Sequence, residues 1–267
     1  MSVASGRLTI VHVSDVHGVE HGLLFGAVDP LDRLARLADH LELAHVTPEA
    51  IVVTGDLAHR GHAGAYPAVA AALERLGERL GAPVVTTLGN HDDAEASRVL
   101  PGHEASHHGV VDADGLRIVR LDSRSGALGA AQLDWLREVL ATAAPLGTVV
   151  ALHHPPIASP LPGLAGQHLA DADALLELLE GTDVRAVLAG HYHHPASATV
   201  RGLTVSVAPS LAYHQRMHAG LDGIAGHDTS MFSLVHLLHD GVQTASVSLT
   251  EPAPIFTIPI PSSTLKH

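Results

Sequence analysis

The sequence predicts an α/β fold, a four-layer αββα sandwich in which two mixed β-sheets pack face to face and helices cover both outer faces. Three observations predict it. Short apolar runs of strand length alternate with longer segments of helical periodicity. Several of these runs end in polar clusters, always at the C-terminal end, as in open α/β sheets whose ligands lie beyond the strand ends. The second half repeats the pattern with more β content, enough for a second sheet.

Residues 8–13 form an apolar run that ends in Ser14-Asp15, as a buried strand entering a loop does. Leu31, Leu34, Leu37, Ala38 and Leu41 then recur at helical spacing, and Thr47-Pro48 closes that segment. Residues 50–54 are the next strand, ending in Gly55-Asp56. Residues 66–80 are an Ala- and Leu-rich helix stopped by Gly81-Ala82-Pro83, and the strand at 84–88 runs into Gly89-Asn90-His91-Asp92. In the second half, strands are expected at 116–121, 148–152 and 184–189, with helices at 130–140 and 172–179. The last two of those strands enter His153 and Gly190-His191. Residues 203–207, 231–238 and 242–249 read as a final meander with a hairpin turn at Asp240-Gly241. Residues 1–250 read as one domain, and residues 251–267, rich in Pro, Ser and Thr, as a tail whose Ile255-Phe256-Thr257-Ile258 is its candidate edge strand.

Bulk properties narrow the function. The 267 residues are 46% hydrophobic and 16% charged, which suits a sizeable core and argues against disorder. With 15 Lys and Arg against 28 Asp and Glu, the formal charge of -13 lacks the basic footprint of a nucleic-acid binder, and no nucleic-acid partner is expected. The absence of cysteine excludes disulfides, thiolate nucleophiles and Cys-type zinc sites, so any metal must take N and O ligands. No basic-then-apolar leader opens the sequence and no run of about 18 apolar residues appears, which predicts a soluble cytoplasmic protein without a membrane span.

Five motifs carry the chemistry: Asp15-Val16-His17, Gly55-Asp56, Gly89-Asn90-His91-Asp92, His153-His154-Pro155 and Gly190-His191-Tyr192-His193. Asp15 and His17 set a carboxylate and an imidazole side by side after a strand, a pair that suits Mn, Fe or Zn. Asp56 alone is equally a turn residue, and becomes informative as a carboxylate that bridges two ions. Asn90 offers a neutral carbonyl ligand and leaves the adjacent His91 free for proton chemistry. The prolines after His153 hold its ring outward, whereas His154 belongs to the outer shell or the surface. His191 and His193, at alternate positions of an extended stretch, are expected on one side, with His194 on the other. Most of the 23 histidines read as surface or core residues; His107, His108 and the long Gly-containing loop at 213–229 with His214 and His227 are the exceptions.

These motifs, in this order, resemble those of the calcineurin-like metallophosphoesterase superfamily. Phe25-Gly26-Ala27-Val28-Asp29, Gly55-Asp56-Leu57-Ala58, His153-His154-Pro155-Pro156-Ile157 and Gly181-Thr182-Asp183-Val184-Arg185 before Gly190-His191 further resemble bacterial class III cyclic-nucleotide phosphodiesterases. The likeness spans residues 7–250. It implies two divalent or trivalent ions per chain, iron or manganese first and zinc next. One ion would be held by Asp15, His17, Asp56 and His193, the other by Asp56, Asn90, His153 and His191. His91 would be the unligated catalytic imidazole, oriented by Asp92, while His17, Asn90 and His193 also line the phosphate. Dimerisation is implied by the resemblance alone.

The chemistry that follows is hydrolysis of a cyclic-nucleotide phosphodiester. Two ions roughly 3.5 to 4 Å apart bring the pKa of a shared water from about 15.7 to about 7, which provides hydroxide for in-line attack while His91 protonates the leaving ribose oxygen. Two divalent ions, two carboxylates and a hydroxide leave about +1 to attract the diester anion locally. The rivals are a broader phosphodiesterase acting on glycerophosphodiesters or aryl diesters, and a non-catalytic metal-binding interaction scaffold, whose mark would be missing ligands. With three Phe, three Tyr and one Trp, a tight aromatic clamp on the base is not expected, and base selectivity should be loose.

Overall fold

The computed structural model describes residues 6–216, 223–250 and 253–258. Its first half is a run of strand and helix units: β1 (Arg7–Val13), α1 (Pro30–Leu43), β2 (Ala50–Thr54), α2 (Tyr66–Leu80) and β3 (Val84–Thr87). Local chemistry sets the helix ends. Asp29 caps α1 by accepting from the backbone N–H of Leu31 and Asp32, with Pro30 in the first turn. Gly81, in the left-handed region at φ 63°, closes α2. The second half adds β4 (Gly109–Ala113), β5 (Leu116–Arg120), α3 (Ala130–Leu140), β6 (Thr148–Ala151), α4 (Ala172–Leu179), β7 (Val184–Ala189), β8 (Ala196–Val200) and β9 (Leu203–Val207). The chain continues with the two-residue strands β10 (His214–Gln215) and β11 (Gly226–His227), then β12 (Met231–Leu238) and β13 (Gly241–Ser248).

Two mixed sheets result, ordered β13-β12-β1-β2-β3 and β4-β5-β6-β7-β9-β8. β1, β2 and β3 are parallel, as are β5, β6, β7 and β9, and antiparallel strands close both edges of the second sheet and one edge of the first. Alternation along each strand divides the apolar residues among three cores. Val11, Val13, Ile51 and Val53 face Leu34, Leu37 and Leu41 of α1 and Val69, Leu73 and Leu76 of α2. Leu8, Ile10, Val52, Val235 and Leu237 meet Ile118, Val149, Ala186 and Leu188 between the sheets. Val119, Val150 and Val187 pack under Leu136 and Leu140 of α3 and Leu175, Leu176 and Leu179 of α4. The four-layer sandwich is therefore the observed fold.

Three expectations change. The last strands are no meander: β9 lies in the second sheet, whereas β12 crosses back to pair antiparallel with β1, Leu8 opposite Leu237 and Ile10 opposite Val235. Strands β4 and β8 were not anticipated, because their alternate residues are only half-buried and carry no apolar run. Residues 255–258 form no edge strand; Ile255, Phe256 and Ile258 are exposed, next to Pro254. Of the 213–229 loop, residues 217–222 lie outside the described residues, and the flanking ends pair as β10 and β11. No helix among the described residues is long and apolar enough to cross a membrane.

Candidate metal centre

Each motif follows the C-terminal end of a parallel strand: Asp15 and His17 follow β1, Asp56 β2, Asn90 and His91 β3, His153 β6, and His191 and His193 β7. Hydrogen bonds from backbone N–H groups tie four of these loops together. Asp15 N–H donates to Gly55 O (3.1 Å) and His17 N–H to Asp56 O (2.8 Å), which continues the β1–β2 pairing into the loops. Gly190 N–H donates to His153 O (3.0 Å). His191 N–H reaches across the sheets to Asp15 Oδ2 (3.1 Å), and Leu211 N–H to Ser14 O (2.9 Å).

The backbone is strained where the candidate ligands sit. Of nine non-glycine residues with positive φ among the described residues, five are Asp15, His17, Asp56, His191 and His193, at φ between 50° and 75°. His191 and His193 are thus not on an extended stretch, as expected from their spacing; two left-handed residues turn both rings into the site. Two glycines permit the close approach of the loops. A Cβ on Gly89 would run into the Asp56 carboxylate, and one on Gly190 into Ser14 Oγ.

The side chains converge in two overlapping groups. Ligand atoms of Asp15, His17, Asp56 and His193 all lie within 4.8 Å of one another, and all four residues are buried. Around the second group, His153 Nε2 lies 3.5 Å from Asp56 Oδ2, 3.1 Å from Asn90 Oδ1 and 3.1 Å from His191 Nδ1. Asp56 belongs to both groups.

This arrangement suits a cation. Thr54 O accepts from His153 Nδ1 (2.8 Å) and Tyr213 O from His193 Nδ1 (3.1 Å), so each ring, in the neutral form that a metal would require, turns a lone pair on Nε2 into the site. The His193 lone pair faces Asp15 Oδ1 at 3.2 Å and His17 Nε2 at 3.2 Å. Asp15 Oδ1 is buried without a hydrogen bond. Acceptors held this close repel one another unless a positive charge lies between them. Titration behaviour agrees. Burial pushes the Asp56 carboxyl up to about 7, with Asp15 and Asp92 adding to the rise against His153. Burial would also raise Asp15, but His193, His153 and His17 together hold it well below the usual carboxylate range. Burial drives His17 far down and His191 to about 2, which leaves both rings in the neutral, ligating form. Against burial, Asp56 and Asp15 raise His153, the ring next to the carboxylates. The donor set fits two hard-to-borderline cations, with Asp56 shared.

His91 stands at the mouth, with its side chain 25% exposed. Its backbone N–H donates to Asp56 Oδ1 (2.9 Å), and its ring Nε2 lies 4.0 Å from Asp56 Oδ2. Arg60 N–H donates to His91 Nδ1 at 3.4 Å, which leaves the neutral ring's proton on Nε2, the atom facing the site. Burial, then Arg60 and His59, lower this ring to about 4.

Asp92 does not orient His91. Its oxygens accept from Leu57 N (3.1 Å), Ala58 N (3.0 Å), Gly89 N (2.8 Å) and Tyr66 OH (2.8 Å), so it braces the β2 and β3 loops rather than the ring. His154 is buried rather than at the surface, close to Ser123 Oγ (3.3 Å) and packed on His191. His194 points away, to Ser159 Oγ (3.2 Å). His107 pairs with His103 in a separate buried contact at 3.1 Å. Three contributors had no motif to announce them. His59 Nδ1 lies 3.2 Å from His17 Nδ1, Tyr213 packs on His193 with ring centroids 4.2 Å apart, and Tyr66 holds Asp92. Their only sequence signals are the position of His59 three residues after Asp56 and the scarcity of tyrosine in the chain.

Comparison with known proteins agrees with this geometry. A family model described as calcineurin-like phosphoesterase matches residues 8–195. The chain is 39% identical over 250 residues to a "Probable cyclic nucleotide phosphodiesterase" of Rhodococcus erythropolis, covering 90% of this chain and 83% of that protein. It is 41% identical over 251 residues to a "cAMP/cGMP dual specificity phosphodiesterase" of Mycobacterium tuberculosis, covering 90% and 79%. Among solved structures, a dimetal phosphatase from Danio rerio superposes with a TM-score of 0.64 at 14% identity, covering 91% of this chain and 97% of that one, a likeness of fold alone.

Proposed function

Since the chain belongs to the calcineurin-like phosphoesterase family, we propose that it is a two-metal phosphodiesterase that opens cyclic nucleotides. The observation that supports this most is the convergence of six ligand-type side chains around a seventh, Asp56, with Asp15 Oδ1 buried among them without a hydrogen bond. Asp15, His17, Asp56 and His193 would hold one ion, and Asp56, Asn90, His153 and His191 the other. Iron or manganese suits this oxygen and imidazole set, with zinc as the alternative. When bound, the ions supply Lewis acidity for the phosphoryl oxygens and a water acidified to a pKa near 7.

The chain's own residues supply the rest. His17, Asn90 and His193 line the phosphate, and the rigid loops fix its orientation for in-line attack. A bond forms from the water oxygen to phosphorus, the bond to the ribose oxygen breaks, and that oxygen takes a proton. His91 donates it from Nε2; the anionic diester favours the protonated ring that burial and Arg60 otherwise disfavour. Resemblance to bacterial enzymes supports work in the cytoplasm and a homodimer.

Elemental analysis with an activity panel tests the proposal. About two ions per chain are expected, with faster turnover of 3′,5′- or 2′,3′-cyclic nucleotides than of glycerophosphodiesters, aryl diesters or phosphomonoesters. Comparable rates on all of them would remove the cyclic-nucleotide assignment.

A further inference from the structure

Beside Asn90 the surface opens into a cavity of about 830 Å³, within the roughly 300 to 1,000 Å³ of small-molecule sites. Its walls include His108, Arg124, Ala127, Leu128 and Ala131. Asn90 belongs to the phosphate end of the site, so the cavity lies where the remainder of a bound diester can extend.

Most polar groups on the wall are already occupied. Gln132 Oε1 accepts from Asp122 N–H (2.7 Å), and its Nε2 donates to Asp122 O (2.9 Å) and Leu128 O (3.3 Å). The Ser125 hydroxyl donates to Ala127 O (3.1 Å), and the Asp92 oxygens are taken as described. Arg124 differs. Its Nε donates to Asp122 Oδ1 (3.0 Å) and its Nη2 to Asp122 Oδ2 (2.8 Å), a side-on fork that fixes the guanidinium plane. Among the described residues Nη1 makes no hydrogen bond, so the end-on fork of Nη1 and the second Nη2 hydrogen remains available. Gln132 clamps the Asp122 backbone, and Asp122 holds the arginine, so the fork is preorganised from α3.

An available guanidinium fork selects a planar ligand with two adjacent acceptors. Guanine presents N7 and O6 in that arrangement, whereas adenine replaces O6 with an amino donor and pyrimidines lack N7. Asp122 neutralises the Arg124 charge, which favours a neutral acceptor edge over a second phosphate. We propose that this cavity holds the purine base of the substrate and that Arg124 reads guanine through N7 and O6. The inference rests on the cyclic-nucleotide reading above, and it replaces the expected loose base selectivity with a preference that needs no aromatic clamp.

The test compares kcat/KM for 3′,5′-cyclic GMP, 3′,5′-cyclic AMP and bis(4-nitrophenyl) phosphate, a diester without a base, in the metal-loaded wild type, Arg124→Met and Arg124→Lys. The wild type should favour cyclic GMP by roughly ten- to a hundredfold. Both variants should bring that ratio to about one, since an ammonium cannot form the fork, while the aryl diester rate stays within about twofold. A wild-type ratio near one, a ratio that survives both substitutions, or an equal loss on all three substrates overturns the assignment to Arg124 and leaves the cyclic-nucleotide reading standing. Turnover of the aryl diester with neither nucleotide cleaved overturns that reading, and this inference with it.

Discussion

At the scale of single residues, position in the centre separates two kinds of failure. His91 lies outside the two groups that share Asp56, although its ring also clusters with those of His17 and His59, so His91→Ala should keep its metal and lose roughly 10² to 10⁴-fold in kcat; parallel loss of metal would make His91 a ligand instead. Asp56 belongs to both groups, and Asp56→Asn should lower the metal content itself, with full occupancy by elemental analysis as the contrary result. The candidate ligands were legible in the sequence because each follows a strand end, and strand ends are readable from apolar runs. The duty of Asp92 was not legible. Adjacency to His91 suggested a partner for the ring, but the carboxylate turns back to three backbone N–H groups and the Tyr66 hydroxyl. Tyr213 escaped for a similar reason: its stacking on His193 depends on where a distant loop returns, which spacing does not encode.

At the scale of elements, periodicity identified the four helices because each has one apolar face, and α1 and α2 have a recognisable stop as well. Leu37 is fully buried on the inner face of α1, so Leu37→Ala should cost about 2 to 5 kcal/mol by urea unfolding while metal content and turnover per folded molecule hold. Asp29→Ala removes two accepted hydrogen bonds at the start of α1 and should cost about 1 kcal/mol by the same measurement. Partner choice among strands was less legible than the strands themselves. An alternating pattern says which face is buried but not which neighbour supplies the hydrogen bonds, which is why β9, β12 and β13 looked like one meander. Strands β4 and β8 sit at the two edges of the second sheet, where half-burial suffices and the apolar signal fades.

Over the whole molecule, buried neutral histidines tie stability to acidity. Burial lowers His12 to about 3 and His103 to about 4, both from an ordinary 6.5. The unfolded chain therefore takes up these protons first as the solution is acidified. The stabilisation is complete above pH 6.5 and drains as pH falls toward 3 to 4, by at most about 1.4 kcal/mol per pH unit for each ring. Urea midpoints of the metal-free protein should fall across that window, and less steeply in His103→Gln; an unchanged slope would contradict the burial cause for His103. Metal removal should lower the melting temperature further, because ligands that bind only the folded state add about 2.7 kcal/mol at a hundredfold excess over Kd. The pairing of β12 with β1 also matters during synthesis on the ribosome. At roughly 5 to 20 residues per second, some ten to fifty seconds separate the emergence of the first strand from that of its antiparallel neighbour. During that interval one edge of β1 has no neighbour from its own chain. A nascent polypeptide in this state is a natural client for a ribosome-associated chaperone, and cells short of that help should accumulate it as aggregate before any metal is loaded.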